Sequence, residues 1–273
     1  MTAFHSGTGG HALITGASAG IGAEFARQLA ARGQHLVITA RRAERLTALG
    51  HELEQRHGVE VVTLPSDLAE PAAVDELCSA LAERGIQVAT LINNAGYGVP
   101  GHLNHADWST HRDFVQVMVT AVVELSYRLL PAMQARGNGA IVNVASLAAL
   151  VPGSPGHTLY AASKAFLVRF SESLALENED SGVRVQALCP GFTYSEFHDV
   201  VGTREVVSQM PDYMWMTAEA VVAESLEQLA LHKKVVVVPG RVNRFLARLA
   251  AWLPQKAALG MVRRRSHQFR STE

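Results

Sequence analysis

The sequence predicts an α/β fold in which one open parallel sheet is covered by helices on both faces. Seven short, apolar, β-rich runs recur along the 273-residue chain: HALIT, HLVITA, VEVVTL, VATLIN, GAIVNVAS, VRVQALC and KVVVVPG. Strands that are apolar without alternation are covered on both sides. The segments between them, such as 21–31, 42–57 and 72–83, place apolar residues at the three- and four-residue spacing of a helix face. This alternation predicts a doubly wound sheet with right-handed crossovers.

Composition predicts a single domain in a reducing compartment. The length suits one large α/β core, and a net charge of -1 with a pI of about 6.9 provides no long-range field for nucleic acid. Two cysteines, Cys78 and Cys189, argue against a disulfide framework and favour the cytoplasm. Residues 1–10 lack the basic flank and apolar centre of a signal segment. We therefore expect a flexible leader over 1–10 and no membrane-spanning helix.

The stretch TGASAGIG, between the first strand and the first helix, is typical of a phosphate-binding turn. Gly16 permits a tight turn, Gly20 lets the backbone approach a pyrophosphate, and Gly22 lets the helix pack on the sheet. Backbone N–H groups at the helix start then meet the phosphate charge. A plain turn or a methyltransferase loop could look similar, but the position after strand one favours a dinucleotide. The loop residues expected at the phosphates are Gly16, Ser18, Ala19, Gly20, Ile21 and Gly22.

The end of the second strand indicates which dinucleotide is bound. A carboxylate there would accept hydrogen bonds from the adenosine ribose, but the sequence reads TARR and ends in Arg41 and Arg42. Arginines suit a 2'-phosphate, because a guanidinium presents forked positive donors. The alternative is that both arginines are merely solvated residues at a helix start. We expect NADP as the cofactor, with NAD less favoured.

The third and fourth strands end in SDL and NNAG. Asp67 could accept a hydrogen bond from the adenine amino group, and Leu68 could pack on the ring. Asn94 can tie strands together, while Ala95 and Gly96 make room beside the ribose. Strand ends of this kind line the ligand crevice of doubly wound sheets.

The fifth strand runs into Ser146, and 14 residues later comes YAASK, which contains Tyr160 and Lys164. Four residues make about one helical turn, so the phenol and the ammonium share a face. A nearby ammonium and an oxidised nicotinamide both favour the phenolate and lower the pKa of the tyrosine. Ser146 can hydrogen-bond the substrate oxygen while Tyr160 exchanges its proton. This arrangement predicts interconversion of an alcohol and a carbonyl.

In this combination the chain resembles the short-chain dehydrogenase/reductase family from about residue 11 to residue 240. The motifs that carry the resemblance are TGASAGIG, NNAG, Ser146, YAASK and PGFTYSEF. The family implies a Rossmann-like sheet of about seven strands, so we expect the oxidoreductase domain over 11–241. It also implies that the segment after Pro190 and Gly191 holds the nicotinamide, with Thr193 meeting the carboxamide through its backbone. Ser195 would stand where the family usually has threonine.

Met118 departs from the family pattern. The long helix before the serine strand usually carries an asparagine 13 residues before the proline of an LP-x-M ending, and that position is Met118 in YRLLPAM. In the family, the asparagine distorts the helix and holds a water that links the lysine to solvent. A thioether is at best a weak acceptor and has no donor, so it cannot hold this water directly. We favour a slower enzyme in which a displaced water or Thr120 partly restores the relay. In one alternative, the protein binds NADP and a ligand but has no turnover. In the other, the family position lies a residue or two from Met118, and the helix has no functional departure.

The substrate is expected under an aromatic segment at about 195–217. Flexible apolar side chains there suit an apolar ligand, although a core or subunit contact is the other interpretation. The candidate pocket residues are Tyr97, Val99, Phe192, Phe197, Tyr213 and Trp215. His102, His105 and His111 could suggest a metal with Asp107, but no pair falls on one helical turn. We expect no metal, and a helix start at Asp107 or Ser109.

The tail over 242–273 mixes an apolar face with arginines. It could lie on a partner subunit, cover the active-site mouth or touch a membrane surface, and a packed terminal helix with a solvated basic end is the favoured interpretation. The apolar helices around Met118 and Tyr160 predict a homodimer or homotetramer. Together these features predict an NADP-dependent oxidoreductase acting on a small apolar carbonyl or alcohol. A catalytically weak NADP-binding regulator or scaffold is the alternative.

Overall fold

A computed structural model describes residues 10–194, 211–232, 234–254, 256–257 and 259–260. The predicted Ser195 and Phe197 lie outside the described residues. Nine strands are described: β1 His11–Thr15, β2 Leu36–Thr39, β3 Val61–Thr63, β4 Val88–Asn93, β5 Gly139–Val144, β6 Val183–Leu188, β7 Phe192–Tyr194, β8 Trp215–Thr217 and β9 Val236–Val237.

Seven of these strands form one parallel sheet in the order β3-β2-β1-β4-β5-β6-β9. β2, β4 and β5 are buried at every residue, because their apolar side chains are covered on both faces. The predicted α/β sheet of about seven strands is confirmed. Both edge strands are shorter than the apolar runs from which they were predicted.

Eight α-helices are described, and they cover both faces of the sheet. They are α1 Gly20–Ala30, α2 Ala43–His57, α3 Ala73–Glu83, α4 Trp108–Val115, α5 Ala121–Ala135, α6 Thr158–Leu176, α7 Ala218–Leu231 and α8 Arg241–Trp252. One core packs Phe25, Leu46 and Leu226 of α1, α2 and α7 against the sheet. The opposite core contains Leu77 and Leu174 of α3 and α6. The carboxyl ends of the central strands are left for a ligand crevice.

A π-helical segment, Gln116–Thr120, joins α4 to α5. The continuous helix Trp108–Ala135 has 28 residues and a mean hydropathy of 1.3 in its most apolar window, so it could cross a membrane by length and composition. The sequence analysis predicted that the chain has no helix of this kind, and it missed this candidate. Phe114, Met118 and Leu125 of this helix are buried, and Leu125 packs in the core beside the sheet. A core helix of a folded protein passes the same test, and 39% of this apolar window is buried inside the protein.

Two short strands, β7 and β8, pair in parallel to form a second sheet that the sequence did not predict. They lie on either side of residues 195–210 along the chain. Trp215 of β8 lies between two aromatic side chains of β7, with ring centroids 5.5 Å from Phe192 and 4.7 Å from Tyr194. Aromatic contact therefore joins the two ends of the expected substrate segment.

Candidate active site

The glycine loop forms a tight turn at the start of α1. Gly16 and Gly20 have φ angles of +67° and +54°, which side chains rarely adopt. A Cβ on Gly22 would lie 2.4 Å from the Gly16 carbonyl oxygen and 2.4 Å from Asn94 Nδ2, so no side chain fits there. The N-cap residue Ala19 supplies no side-chain hydrogen bond to the first turn of the helix. Backbone N–H groups therefore remain for an anion, as the fit of a pyrophosphate requires.

The two arginines at the end of β2 have different contacts. Arg42 donates from Nε and Nη2 to Ser18 Oγ at 3.2 and 3.0 Å, which ties it to the glycine loop. Arg41 is 69% exposed, and its Nη1 lies 3.9 Å from Asp67 Oδ2. Asp67 also accepts from the Ala69 N–H at 3.1 Å, which fixes its carboxylate at the end of β3. The positive groups and the carboxylate expected around an adenosine thus lie together at this edge.

The NNAG segment binds the glycine loop to the end of β4. Asn94 Nδ2 donates to the carbonyl oxygens of Thr15 and Gly16 at 2.9 and 3.2 Å. The Thr15 hydroxyl oxygen accepts from the N–H groups of Asn94 and Ala95 at 3.0 and 2.9 Å. Asn94 therefore ties neighbouring strands, as predicted, and Thr15 is a partner that sequence reasoning missed. Leu68 is buried in a core cluster of the protein, and its contact with an adenine ring stays a prediction.

Ser146 and Tyr160 are brought together by β5 and α6. The hydroxyl of Ser146 accepts from the Ala148 N–H at 3.1 Å, which holds it at the first turn after β5. A side-chain hydrogen bond joins Ser146 to Tyr160. Burial raises the pKa of Tyr160, and the Ser146 hydrogen bond opposes this rise. The expectation that Lys164 lowers the tyrosine pKa is wrong for the protein chain alone, because desolvation outweighs the other contributions.

Lys164 lies one turn after Tyr160 on α6 and is buried. Its Nζ donates to the Val144 carbonyl oxygen at 2.7 Å and lies 5.7 Å from the centroid of the Tyr160 ring. Burial lowers the pKa of Lys164 to about 8, and neighbouring Cys189 opposes this shift slightly. Burial also raises the pKa of the Cys189 thiol to about 12, so this thiol is neutral at pH 7. The shared face predicted for Tyr160 and Lys164 is thus present.

Met118 lies in the π-helical segment and reaches the same place as Lys164. Its side chain is 1% exposed. A Cβ on Gly96 would lie 2.9 Å from Met118 Sδ and 3.7 Å from Lys164 Nζ. The helix distortion that the family resemblance assigns to asparagine is therefore present with methionine. Thr120 is exposed, so its hydroxyl is not placed to restore a relay at buried Met118.

The expected nicotinamide segment begins at the buried Pro190, whose carbonyl oxygen accepts from the Leu147 N–H at 2.8 Å. Thr193 is buried and donates to the Gly191 carbonyl oxygen at 3.1 Å. A Cβ on Gly191 would lie 2.4 Å from Oδ1 of Asn243 in α8. Asn243 is a contact that sequence reasoning missed, since nothing in its sequence neighbourhood indicates packing 52 residues away. The first turn of α8 thus supports the segment after Pro190.

The described residues of the predicted pocket lie in four different places. Tyr97 packs edge-on against Phe114, with ring centroids 5.4 Å apart. Val99 borders a small cleft of about 10 Å³ that reaches Tyr160. Phe192 and Trp215 lie in the aromatic cluster described above, whereas Tyr213 is 70% exposed. The structure therefore brings Val99 to Tyr160 and leaves Tyr213 at the surface.

Two of the three histidines near the start of α4 lie together, since the ring centroids of His102 and His105 are 5.3 Å apart. His111 is buried, and its Nε2 lies 2.7 Å from the Leu103 carbonyl oxygen. His102 and His105 are exposed. Among the described residues, no group of three or more His, Cys, Asp or Glu side chains could hold a metal. α4 follows Asp107, one of the two predicted starts, although the Asp107 side chain makes no capping hydrogen bond.

A buried polar network that sequence reasoning missed supports the strand ends of the site. Asn93 Nδ2 donates to Asn143 Oδ1 at 2.8 Å, and Asn143 Nδ2 donates to Ser171 Oγ at 2.9 Å. Asn93 Nδ2 also lies 3.3 Å from Ser126 Oγ. These contacts fix β4 and β5 to α5 and α6. These hydrogen bonds were not predicted, because a single polar residue in an apolar run does not indicate which distant residue it will bond.

The chain matches known proteins over most of its length. Residues 10–205 match the family described as short chain dehydrogenase. A sulfoacetaldehyde reductase of Chromohalobacter salexigens is 38% identical over 234 residues, which cover 85% of this chain and 89% of that protein. A very-long-chain 3-oxoacyl-CoA reductase of Coprinopsis cinerea is 35% identical over 201 residues, which cover 72% of this chain and 58% of that protein.

Solved structures match the fold as well as the sequence. A short-chain dehydrogenase from Sphingobium yanoikuyae in complex with NADPH has 33% identity and a TM-score of 0.79, with 89% of this chain and 93% of that chain covered. A short chain dehydrogenase/reductase from Burkholderia phymatum in complex with NAD has 26% identity and a TM-score of 0.78, with 88% and 92% covered. The chain therefore belongs to the short-chain dehydrogenase/reductase family and is an oxidoreductase that uses a nicotinamide cofactor on a carbonyl or alcohol group.

Proposed function

We propose that the protein is an NADP-dependent oxidoreductase that interconverts a carbonyl and a secondary alcohol on a fairly apolar small molecule. The observation that carries this proposal is the hydrogen bond between Ser146 and Tyr160, one helical turn from the buried Lys164. This group follows β5, near the glycine loop that follows β1. We also propose that the protein is cytoplasmic and forms a homodimer or homotetramer, since Trp108, Tyr127 and Phe166 leave apolar surface exposed on α4, α5 and α6.

The residues of the chain have separate tasks in this reaction. The glycine loop and the start of α1 would hold the pyrophosphate, and Arg41 and Arg42 would hold the 2'-phosphate. When bound, the nicotinamide supplies or accepts the hydride. Tyr160 holds the proton that moves to or from the substrate oxygen, and Ser146 donates a hydrogen bond to that oxygen. The raised pKa of Tyr160 keeps its phenol protonated at neutral pH, which suits donation in the reductive direction.

The preference for NADP is supported by charge at the end of β2. Arg41 is exposed, and Arg42 is held to the loop residue Ser18. A similar structure carries NADPH and another carries NAD. No carboxylate stands at the end of β2, where the ribose hydroxyls of NAD would need an acceptor. The Asp67 carboxylate follows β3, and Arg41 Nη1 lies 3.9 Å from it.

The apolar substrate is supported by the residues near Tyr160. The described segments 97–103, 146–160, 192–194 and 211–217 contain no lysine or arginine. Val99, Leu103 and Leu159 border the small cleft beside Tyr160. A sulfonate such as that named for the Chromohalobacter relative needs a positive group, whereas an acyl chain such as that named for the Coprinopsis relative needs apolar surface. The apolar side chains favour the second class.

The proposal is tested by following NADPH absorbance with a panel of apolar ketones, aldehydes and sulfoacetaldehyde. Tyr160→Phe should lower turnover by a factor of about 10² or more, because it removes only the hydroxyl that transfers the proton. Tyr127→Phe is the matched control, since Tyr127 is exposed on α5. Both variants should still bind NADPH, although Tyr160 and Lys164 are also predicted to contact the cofactor, so a loss of turnover is measured on cofactor-bound protein. Turnover that survives in Tyr160→Phe would show that this phenol is not the proton donor.

A catalytically weak NADP-binding regulator is the second candidate, and the burial of Met118 beside Gly96 and Lys164 favours it. That candidate predicts tight NADPH binding without turnover of any substrate in the panel. Measurable turnover that depends on Tyr160 would exclude it.

A further inference from the structure

The C-terminal helix α8 leaves one face without a protein partner among the described residues. Phe245, Leu249 and Trp252 recur at helical spacing and are 64%, 44% and 88% exposed. Arg241 and Arg248 are exposed on the same side of the helix. The opposite side is anchored, because Asn243 is buried and donates from Nδ2 to the Pro239 carbonyl oxygen at 2.9 Å.

The anchoring makes this face a fixed feature of the fold. Arg244 forms an ion pair with Glu224 of α7. The Gly240 N–H donates to Glu224 Oε2 at 3.0 Å, so both contacts hold the start of α8 against α7. Asn243 also packs on Gly191, at the start of the nicotinamide segment. The exposed aromatic residues therefore project from a helix whose orientation is set by buried contacts.

The sequence that contains this face is strongly basic. Residues 232–273 contain ten of the 24 lysines and arginines and one of the 25 acidic residues, so this segment has a formal charge of +9 and the rest of the chain -10. Among the described residues, no ion pair joins Arg241, Arg248 or Lys256 to a carboxylate. A groove of about 470 Å³ beside the helix is lined by Lys234, Arg244 and Arg248 and by one carboxylate, that of Glu224, which pairs with Arg244. A near-neutral chain thus carries its excess positive charge in its last 42 residues.

We propose that α8 docks the protein on an anionic lipid bilayer. An amphipathic helix with aromatic and aliphatic residues on one side and arginines at its borders lies in the bilayer interface. The apolar side chains enter the acyl boundary, and the cations meet the phosphate groups of the lipids. The groove beside Arg248 offers room for a headgroup phosphate. Burial of an apolar side chain such as Trp252 in the acyl layer is favourable in free energy. A soluble polyanion as the partner would leave this side chain in water.

A second copy of the chain fits this face less well. Two copies related by a two-fold axis would place the same arginines close to each other, with no described acidic residue on the face to offset them. An anionic surface instead matches both the charge and the apolar side chains. The bilayer is therefore the one occupant that we assign to this face.

Docking would place the substrate side of the protein near the lipid. α8 contacts the turn Asp212–Met214, which precedes β8 and the aromatic cluster of Trp215. An apolar substrate dissolved in the bilayer would then have a short route to the site. This consequence rests on the proposed function, whereas the docking itself does not.

The experiment is co-sedimentation of the full chain with phosphatidylcholine vesicles that contain or lack phosphatidylglycerol. The wild type should bind the anionic vesicles and lose binding at high salt, since surface charge attraction is screened. The triple variant Phe245→Ala, Leu249→Ala, Trp252→Ala and the double variant Arg241→Glu, Arg248→Glu should each weaken binding by about tenfold or more. Trp108→Ala and Arg169→Glu are the matched controls, since both residues are exposed on other helices.

Two further measurements keep the result decisive. NADPH turnover of a water-soluble ketone should be unchanged in the α8 variants, so a failure of docking is distinct from a failure of the proposed function. Tryptophan emission should shift to the blue with anionic vesicles, and Trp252→Phe should remove the shift while Trp108→Phe should not. Equal vesicle binding by the wild type and the α8 variants would overturn the proposal. Loss of an oligomer in those variants, without vesicle binding by the wild type, would instead assign the face to a second copy.

Discussion

Met118 and Gly96 share one closely packed space: a Cβ on Gly96 would lie 2.9 Å from the Met118 sulfur. The same Cβ position is 3.7 Å from Lys164 Nζ, so the thioether, the glycine and the ammonium border one another. Met118 is buried in a π-helical segment, a rare geometry that is frequent at functional sites. A side chain without a hydrogen-bond donor thus stands beside the lysine of the expected proton path.

The first prediction concerns this methionine. Met118→Asn should raise turnover several-fold, to about tenfold, because an amide can hold a water beside Lys164 where a thioether cannot. The variant should also unfold about 1–3 kcal/mol more easily, since it buries a polar group in an apolar space. Steady-state kinetics with NADPH and urea unfolding measure the two effects.

Met118→Leu is the matched control, because it keeps a similar apolar volume and adds no donor. It should turn over at the wild-type rate. An unchanged or lower rate in Met118→Asn, with NADPH binding intact, would contradict the view that the methionine slows the enzyme.

The second prediction concerns cofactor choice. Arg41→Ala should weaken NADPH binding by about tenfold to a hundredfold and leave NADH binding nearly unchanged, because a charge-assisted hydrogen bond to the 2'-phosphate is lost. Fluorescence titration with both nucleotides measures the two dissociation constants. Arg169→Ala, an exposed arginine on α6, should change neither constant. Equal losses for NADPH and NADH would remove the 2'-phosphate assignment.

The third prediction uses the buried ammonium. Burial lowers the pKa of Lys164 to about 8 from an ordinary value of 10.5, so the folded chain releases this proton before the unfolded chain does. Between those two values the unfolded state binds more protons, and the free energy of unfolding rises with pH. In the cofactor-free protein, Lys164 should therefore increase the free energy of unfolding by at most about 3 kcal/mol as the pH rises from 8 to 10.5.

Cys189 and Tyr160 also contribute in alkaline solution, so the measurement is a difference between variants. Urea unfolding gives the free energies of unfolding of the wild type and Lys164→Met. As the pH rises from 8 to 10.5, the value for the wild type should increase relative to that of the variant. Lys234→Met, a change at an exposed lysine, should follow the wild type across this range. A stability difference between wild type and Lys164→Met that is independent of pH would contradict a lowered pKa of the buried Lys164.

The fourth prediction concerns the glycine loop. Gly22→Ala should destabilise the protein by about 1–3 kcal/mol and weaken NADPH binding, because its Cβ would lie 2.4 Å from both the Gly16 carbonyl oxygen and Asn94 Nδ2. Thermal unfolding and fluorescence titration measure the two losses. Gly153→Ala is the control, since a Cβ there meets no atom within 4 Å. If Gly22→Ala matches Gly153→Ala in both measurements, the close approach of the loop to Asn94 is not required.

Much of the fold follows from local sequence. Buried strands such as VATLIN are apolar at successive positions because both faces are covered, and this pattern predicted the parallel sheet. The spacing of Tyr160 and Lys164 predicted their shared face on α6, since the helical repeat places residues i and i+4 together. The tight turn predicted at Gly16 is present, and its positive φ is one that glycine adopts easily.

Other features depend on contacts that no local pattern encodes. The β7–β8 pair joins residues on either side of segment 195–210, and Asn243 meets Gly191 only after α8 has docked. The pKa of Tyr160 also depended on the fold, because desolvation by neighbouring elements outweighs the hydrogen bond with Ser146.

The sequence by itself thus determined the sheet, the glycine turn and the identity of the reactive side chains, since each depends on near neighbours along the chain. Tertiary structure alone decided that Met118 borders Lys164 and Gly96, and that Phe245 and Trp252 of α8 stay exposed while Asn243 is buried. Packing between distant segments sets burial, and burial sets both the protonation of the site and the surface left for a partner.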